Sequence, residues 1–277
     1  MNISVIIPTL NRRDYVLDML KDLSIQTLSV NEVIVSDQSV IFEKIENSYP
    51  YKFTHFQHKG KGPCCSRNDA VSFAKGEILI FLDDDARIDS NFVYEITKSI
   101  VEKKSKVCSG SICNIDGTVV NKEQLNSYWF FKLTLAPKKE IDSCYYTPAG
   151  CTAITKDLFC SIGKYDLFFD PNGAGEDREL AVRLVNSGHK IYFNPKAKLL
   201  HIGALSGGRR NINNVSLEFI KNVGYIIYKY YGNKKLIGFK LYLINQRIKK
   251  IIKLEMPFYN FQMIFKILKI TKTRLYI

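Results

Sequence analysis

The sequence predicts an α/β protein, a mostly parallel, doubly wound sheet flanked by helices. Three observations carry that prediction. Short, uninterrupted apolar runs rich in β-branched residues alternate with helical patterns along the N-terminal part of the chain. Three of those runs stop at polar residues suited to binding a ligand: Pro8-Thr9, Asp37 and the triplet Asp83-Asp84-Asp85. The hydrophobic share of 46% and aromatic share of 12% are those of a globular chain with a full core.

Residues 3–7 form an apolar run ended by Pro8, the pattern of a strand buried on both faces. Asn11 then precedes a helix with Tyr15, Val16, Met19, Leu20 and Leu23 on one side. Residues 32–36 are a second buried strand, ending at Asp37-Gln38-Ser39, and residues 52–56 a short third. Residues 62–75 read as a loop running into a helix, closed by Gly76. Residues 77–82 are the fourth strand and lead directly into the acidic triplet; residues 92–102 are an amphipathic helix.

Beyond residue 107 the pattern is less regular. Strands are expected over 107–115 and 149–155, an aromatic-rich segment over 123–131 and a short helix over 156–162. A glycine-rich loop at 170–175 precedes a helix over 176–187, and short strands at 190–193 and 197–200 end at His201. The rest is helical and basic. Alternating strands and helices imply parallel βαβ units, whose ligands bind outside the carboxyl ends of the strands. The three polar strand ends therefore gather at one edge, as a nucleotide site.

Three adjacent carboxylates repel one another, and burying them uncompensated costs several kcal/mol. A hard divalent cation, Mn²⁺ or Mg²⁺, removes that cost, because it takes oxygen ligands and pairs one or two carboxylates with substrate phosphates. A solvated loop or helix cap is the plainer alternative for the triplet. Asp37 suits a hydrogen bond from a base N–H, or equally a turn. Arg67, at a helix start after the Gly60-Lys61-Gly62-Pro63 loop, suits a diphosphate or a structural pair with the Asp cluster. Glu176-Asp177 opens a helix, where acidic residues also serve as caps; the functional alternative is a general base. His201 is one of four histidines and is read through its company.

In order, these pieces resemble the family 2 glycosyltransferases, of GT-A fold. The matching text is SVIIPTLNR at 4–12, EVIVSDQS at 32–39, GPCCSRNDA at 62–70 and FLDDDA at 81–86. It continues through residues 150–166 and GEDREL at 175–180 to the stretch from Arg183 to His201. The resemblance implies a GT-A-like, Rossmann-type sheet and a nucleotide diphosphate-sugar donor of UDP or dTDP type. It implies that Pro8, Thr9, Asp37, Arg67, Asp83 and Asp84 line the nucleotide-sugar site, with Asp37 on the base and Asp83 near the ribose. Asp85, Asp83 and His201 would hold Mn²⁺ or Mg²⁺. Asp177, with Glu176 beside it, would be the base of an inverting transfer to a glycan or lipid-linked acceptor, as in bacterial cell-surface polysaccharide biosynthesis. The pattern departs from the family at Ser36-Asp37-Gln38-Ser39, where Asp-Asp or Asp-Asn with Gly-Ser is usual, and at Cys64-Cys65.

The expected catalytic domain is 1–208, with a nucleotide-sugar half over about 1–107 and an acceptor half over about 108–208. Residues 209–277 form a basic helical region. They hold 15 Lys and Arg against Glu218 and Glu255, the whole formal charge of +13. Over 236–256, Ile237, Leu241, Ile244, Ile248, Ile251 and Ile252 share one helical stripe with Lys240, Arg247, Lys249, Lys250 and Lys253 around it, and 261–270 repeats the character. Such a face suits an anionic membrane surface or packing on the body. Nucleic acid is not expected as a partner, since no recognition motif accompanies the charge.

The seven cysteines include no CxxC pair and read as small apolar residues in a reducing compartment. With no signal-peptide pattern and no apolar span of about 18 residues, the expected place is the cytoplasm, peripheral on the inner face of the cytoplasmic membrane. Two alternatives remain open. A nucleotidyltransferase should carry a glycine-rich phosphate loop where this chain has PTLNRRDY. A non-catalytic carbohydrate- or membrane-binding protein of the same fold would have no reason to keep Asp83, Asp85, Asp177 and His201 together.

Overall fold

A computed structural model describes residues 1–119, 125–128, 131–134, 139–204, 206–207, 212–252 and 262. In chain order the elements are β1 (Ile3–Thr9), α1 (Arg13–Ser24), β2 (Glu32–Asp37), β3 (Lys52–Gln57), α2 (Pro63–Phe73), β4 (Ile78–Leu82), β5 (Ala86–Ile88) and α3 (Phe92–Glu102). Then come β6 (Val107–Asn114), β7 (Leu125–Tyr128), β8 (Phe131–Thr134), β9 (Cys151–Thr155), α4 (Lys156–Ser161), α5 (Glu176–Asn186), β10 (Tyr192–His201) and α6 (Ile212–Ile252). A 3₁₀ turn covers Leu167–Phe169.

Eight strands form one sheet in the order β3-β2-β1-β4-β9-β6-β10-β5, and β7 pairs with β8 separately. The sheet is mixed rather than mostly parallel. Four of its ladders are parallel, whereas β9 runs antiparallel to both β4 and β6, and β5 antiparallel to β10. The pattern of apolar runs could not distinguish the two, because a strand buried on both faces reads the same in either direction. β1, β2 and β4 are indeed buried along nearly their whole length.

Register explains the site. Thr9 pairs with Asp37, and Ile6 with Phe81, so the parallel strands β1, β2 and β4 bring Thr9, Asp37 and the acidic triplet to one edge. The antiparallel β9 starts at the same edge, with Cys151 opposite Leu82.

Several local expectations are revised. The two short strands expected before His201 are one strand, β10, with an irregularity between Asn194 and Lys198. The three-residue β5 after the triplet is not apparent in the sequence. Gly76 does not cap α2, which ends at Phe73 with Ala74 following. It sits where the backbone passes β1; a Cβ there would lie 2.5 Å from Ser4 Oγ and 2.7 Å from Ser4 N. Tyr15 is only partly buried, while Val16, Met19, Leu20 and Leu23 of α1 are in the core.

The chain comprises two compact units, residues 1–124 with 134–210 and residues 125–133 with 211–277. In the second, α6 is two helices joined at Gly232, whose φ of 74° and ψ of −176° are not helical. Leu236, Phe239 and Leu243 are buried, whereas Ile237, Leu241 and Ile248 of the anticipated stripe are 54%, 57% and 44% exposed. The side chains of residues 249–252, and all of the 261–270 segment but Gln262, lie outside the described residues. Among the described residues no helix is long and apolar enough to cross a membrane. All seven cysteines are free thiols, most of them buried and Cys160 exposed. Burial pushes the Cys144 thiol up to about 11 and those of Cys65 and Cys108 to about 12, so these three stay protonated.

Candidate active site

The triplet at the end of β4 divides its carboxylates among three environments. Asp84 turns inward. Its Oδ2 accepts from Thr9 Oγ1 at 2.7 Å and its Oδ1 from Arg12 Nη1 at 2.9 Å. Burial pushes its pKa up to about 6, against the opposing pull of Arg12 and Thr9. Thr9 and Asp84, both expected to line the nucleotide site, thus satisfy each other and hold the strand ends together.

Asp85 is also buried, but its two oxygens face different partners. Oδ2 lies 3.0 Å from Arg12 Nη1 and accepts from the Ala204 amide at 3.1 Å. Oδ1 lies 3.6 Å from His201 Nε2, on a side chain that is 39% exposed. The β5–β10 ladder creates this approach: Ala86 pairs with His201, and the Ile202 amide donates to the Asp85 carbonyl.

Asp83 is the open member, its side chain 33% exposed, and Oδ1 accepts from Arg67 Nη2 at 2.8 Å. Gly150 makes room for it, since a Cβ at that position would stand 2.1 Å from Asp83 Oδ2. Of the two alternatives for Arg67, the structural pair with the Asp cluster is therefore the one observed. Its guanidinium is buried, also lies 3.5 Å from Glu176 Oε1, and stands 5.6 Å from the Tyr165 ring centroid. Its pKa is raised although burial opposes its charge, because Asp83 and then Tyr165 and Glu176 favour the cation. Arg67 so connects the triplet at the end of β4 to the first residue of α5.

Helix α2, which carries Arg67, has no side-chain cap of its own. Asp170 supplies one from a distant loop, its two oxygens accepting the Cys64 and Cys65 amides at 2.9 Å each. These are otherwise orphaned donors of the first turn, and a carboxylate there also favours the helix dipole. Gly62, at φ 116°, permits the approach; a Cβ would lie 2.2 Å from Asp170 Oδ1. On α5, Glu176 is buried and Asp177 half-buried. Thr147 Oγ1 donates to the Asp177 carbonyl at 2.7 Å.

At the end of β2, Asp37 is turn-forming as well as placed at the site, since the Ser39 amide donates to its Oδ1 at 2.8 Å. His55 stands behind it, with Nε2 3.2 Å from Oδ2. Burial alone would raise the Asp37 pKa, but the His55 and Ser39 hydrogen bonds hold it below the ordinary value.

Sequence reasoning found the carboxylates and missed what orients them. Arg12 stands inside the SVIIPTLNR text, but its partners lie about 70 and 190 residues away; besides the Asp pair it donates to the carbonyls of Ala204 and Ser206. Gly150 and Asp170 open segments that stand out in the sequence but carry no sign of these roles, and His55 has no local signature. Among the described residues no group of three or more His, Cys, Asp or Glu side chains is arranged to hold a metal ion. The available pair is Asp85 Oδ1 with His201 Nε2.

The family model described as Glycosyl transferase family 2 matches residues 4–161. The chain is 30% identical over 165 residues to the poly(ribitol-phosphate) β-N-acetylglucosaminyltransferase TarS of Staphylococcus aureus, covering 57% of this chain and 29% of that one. It is 30% identical over 131 residues to a poly(ribitol-phosphate) β-glucosyltransferase of Bacillus spizizenii, covering 44% of this chain and 21% of that one. The chain thus spans less than a third of the length of these curated relatives. Among solved structures, residues 1–349 of S. aureus TarS in complex with UDP-GlcNAc superpose with a TM-score of 0.63 at 20% identity, covering 88% of this chain and 72% of that one. GalNAc-T7 with UDP, GalNAc and Mn²⁺ superposes with a TM-score of 0.62 at 17% identity, covering 98% and 54%. These two likenesses establish the fold.

Proposed function

The chain belongs to glycosyl transferase family 2, and from that membership we propose that it is an inverting, metal-dependent glycosyltransferase. It moves a sugar from a UDP- or dTDP-sugar to a glycan or lipid-linked acceptor in bacterial surface-polysaccharide assembly. The relatives named as acting on poly(ribitol-phosphate) support that acceptor class.

The observation that carries the reading is the division of the Asp85 carboxylate, one oxygen held by Arg12 and Ala204 and the other turned to His201 at 3.6 Å. Mn²⁺ or Mg²⁺ fits the pair. Bonds of about 2.1 Å span two donors up to roughly 4 Å apart, and such ions take their remaining ligands from phosphates and water. Asp85 and His201 would hold the ion, which when bound would supply charge stabilisation for the departing diphosphate. The protein's own groups do the rest. Asp37 receives a base N–H at the end of β2. Asp83, braced by Arg67, faces the ribose. Asp177 accepts the proton of the acceptor hydroxyl as that oxygen bonds to the anomeric carbon, opposite the breaking bond to the diphosphate.

Calorimetry tests this directly. UDP should bind in the presence of Mn²⁺ or Mg²⁺, and binding should vanish in Asp85→Ala; equal binding without metal would refute the metal assignment. Asp177→Asn should retain donor binding and lose transfer.

The second unit provides membrane contact. Ile237, Leu241 and Ile248 are exposed on α6 at helical spacing, with Lys234 and Lys240 nearby in sequence. An exposed apolar stripe beside cations suits an anionic lipid surface, which supports peripheral contact at the cytoplasmic face of the membrane, where a lipid-linked acceptor is carried.

A further inference from the structure

We infer that His55 is a positioning residue for base selection: it fixes the Asp37 carboxylate as an acceptor-only edge that admits a uracil-type ring N–H and disfavours cytosine. The inference rests on the nucleotide-donor reading above and extends it to a residue outside the strand-end cluster.

The geometry is a short relay running in one direction. The Ile45 amide donates to His55 Nδ1 at 3.0 Å. A ring nitrogen that accepts carries no proton, so the neutral imidazole bears its hydrogen on Nε2. That nitrogen faces Asp37 Oδ2 at 3.2 Å and donates to it. The other oxygen, Oδ1, accepts from the Ser39 amide at 2.8 Å. Each carboxylate oxygen therefore receives one donor from the protein and keeps lone-pair capacity for another.

His55 is itself firmly seated. Its side chain is 2% exposed, and its ring lies 4.8 Å from the Phe42 centroid and 6.2 Å from that of Phe53. The side chain of Asp37, the last residue of β2, is 11% exposed. A carboxylate held this way offers lone pairs and no hydrogen. Uracil and thymine present N3–H to such an edge, whereas cytosine presents an N3 lone pair and is repelled. Discrimination by a site left with an unmatched buried polar group is the strong form of selectivity.

Two substitutions separate positioning from mere packing. Glutamine places its amide nitrogen near the His Nε2 position and preserves donation to Asp37. Asparagine places its carbonyl near Nδ1, preserving the Ile45 contact and losing the donor. UDP and CDP affinities, measured by calorimetry with Mn²⁺, should show a preference for UDP in the parent chain. His55→Asn should weaken UDP binding by about tenfold, the loss expected of one charge-assisted hydrogen bond, with CDP binding little changed. His55→Gln should stay near the parent.

Equal losses for UDP and CDP, or a His55→Gln as impaired as His55→Asn, would overturn the role of His55 while leaving the donor reading intact. A parent chain that binds neither nucleotide would overturn both. Histidine ring ¹⁵N shifts of the parent protein give a check that needs no variant. The Nε2–H tautomer is expected for His55, and the Nδ1–H tautomer would contradict the relay.

Discussion

Arg67 donates to Asp83 across 2.8 Å from a side chain that is only 4% exposed, and the same guanidinium lies 3.5 Å from Glu176. A buried cation between two carboxylates is costly to break. Removing one member strands the others, at about 3–5 kcal/mol. Arg67→Met should accordingly lower unfolding free energy by about 3 kcal/mol or more in urea titrations. Arg67→Lys should fall between, because an ammonium lacks the planar fork that reaches both partners. A loss under about 1 kcal/mol for the Met variant would show that the pair is not the brace described.

Asp170 reaches α2 only because residue 62 has no side chain. Gly62→Ala adds both a left-handed backbone penalty and a collision with the Asp170 carboxylate. Gly117 is a built-in comparison, with a φ of 77° and nothing within 4 Å of the point a Cβ would occupy. The Gly117→Ala cost should be about 1 kcal/mol, and Gly62→Ala should exceed it by roughly 1–3 kcal/mol. Equal costs in thermal or urea unfolding would mean that the cap accommodates the methyl group.

The depressed pKa of Asp37 has a definite pH signature. A carboxylate whose folded pKa lies below its unfolded value contributes stability that is fully present above the unfolded pKa, about 3.9. That contribution disappears as pH falls through the lower, folded value. The stability difference between the parent chain and Asp37→Asn should therefore be constant from pH 7 to 5 and shrink below about pH 4. A difference already shrinking between pH 7 and 5 would contradict the hydrogen bonding assigned to His55 and Ser39.

The exposed stripe on α6 makes the membrane proposal measurable in the full chain. Replacing Ile237 and Leu241 together with serine removes apolar area already in water, so folding should be little affected. Flotation with vesicles containing phosphatidylserine should show affinity reduced by about tenfold or more, since each apolar side chain entering the interface contributes on the order of 1–2 kcal/mol. Vesicles of phosphatidylcholine alone should bind the parent chain weakly. Unchanged flotation of the double variant would remove this face from membrane contact.

The positions of many candidate-site residues were legible in the sequence because those residues stand at strand ends. An apolar β-branched run declares a buried strand, and the first polar residue after it declares the edge where ligands bind. Asp37 and the triplet were readable in that way, and Glu176-Asp177 as the start of a helix. Strand direction was not readable. Whether β9 runs with or against β4 leaves the same apolar pattern, so a mixed sheet looked parallel.

The sequence by itself determined which residue types are present for chemistry, the order of the strands that carry them and the basic character of the last 69 residues. These are local properties, encoded in runs of neighbouring side chains. Only the tertiary structure decided the division of labour. It turned Asp84 inward to Thr9 and Arg12, opened one oxygen of Asp85 toward His201, and set Arg67 between Asp83 and Glu176. Each of those choices is a long-range pairing of charged groups in a region of limited water access. There, orientation within a few tenths of an ångström decides which carboxylate is a brace and which remains available to a ligand.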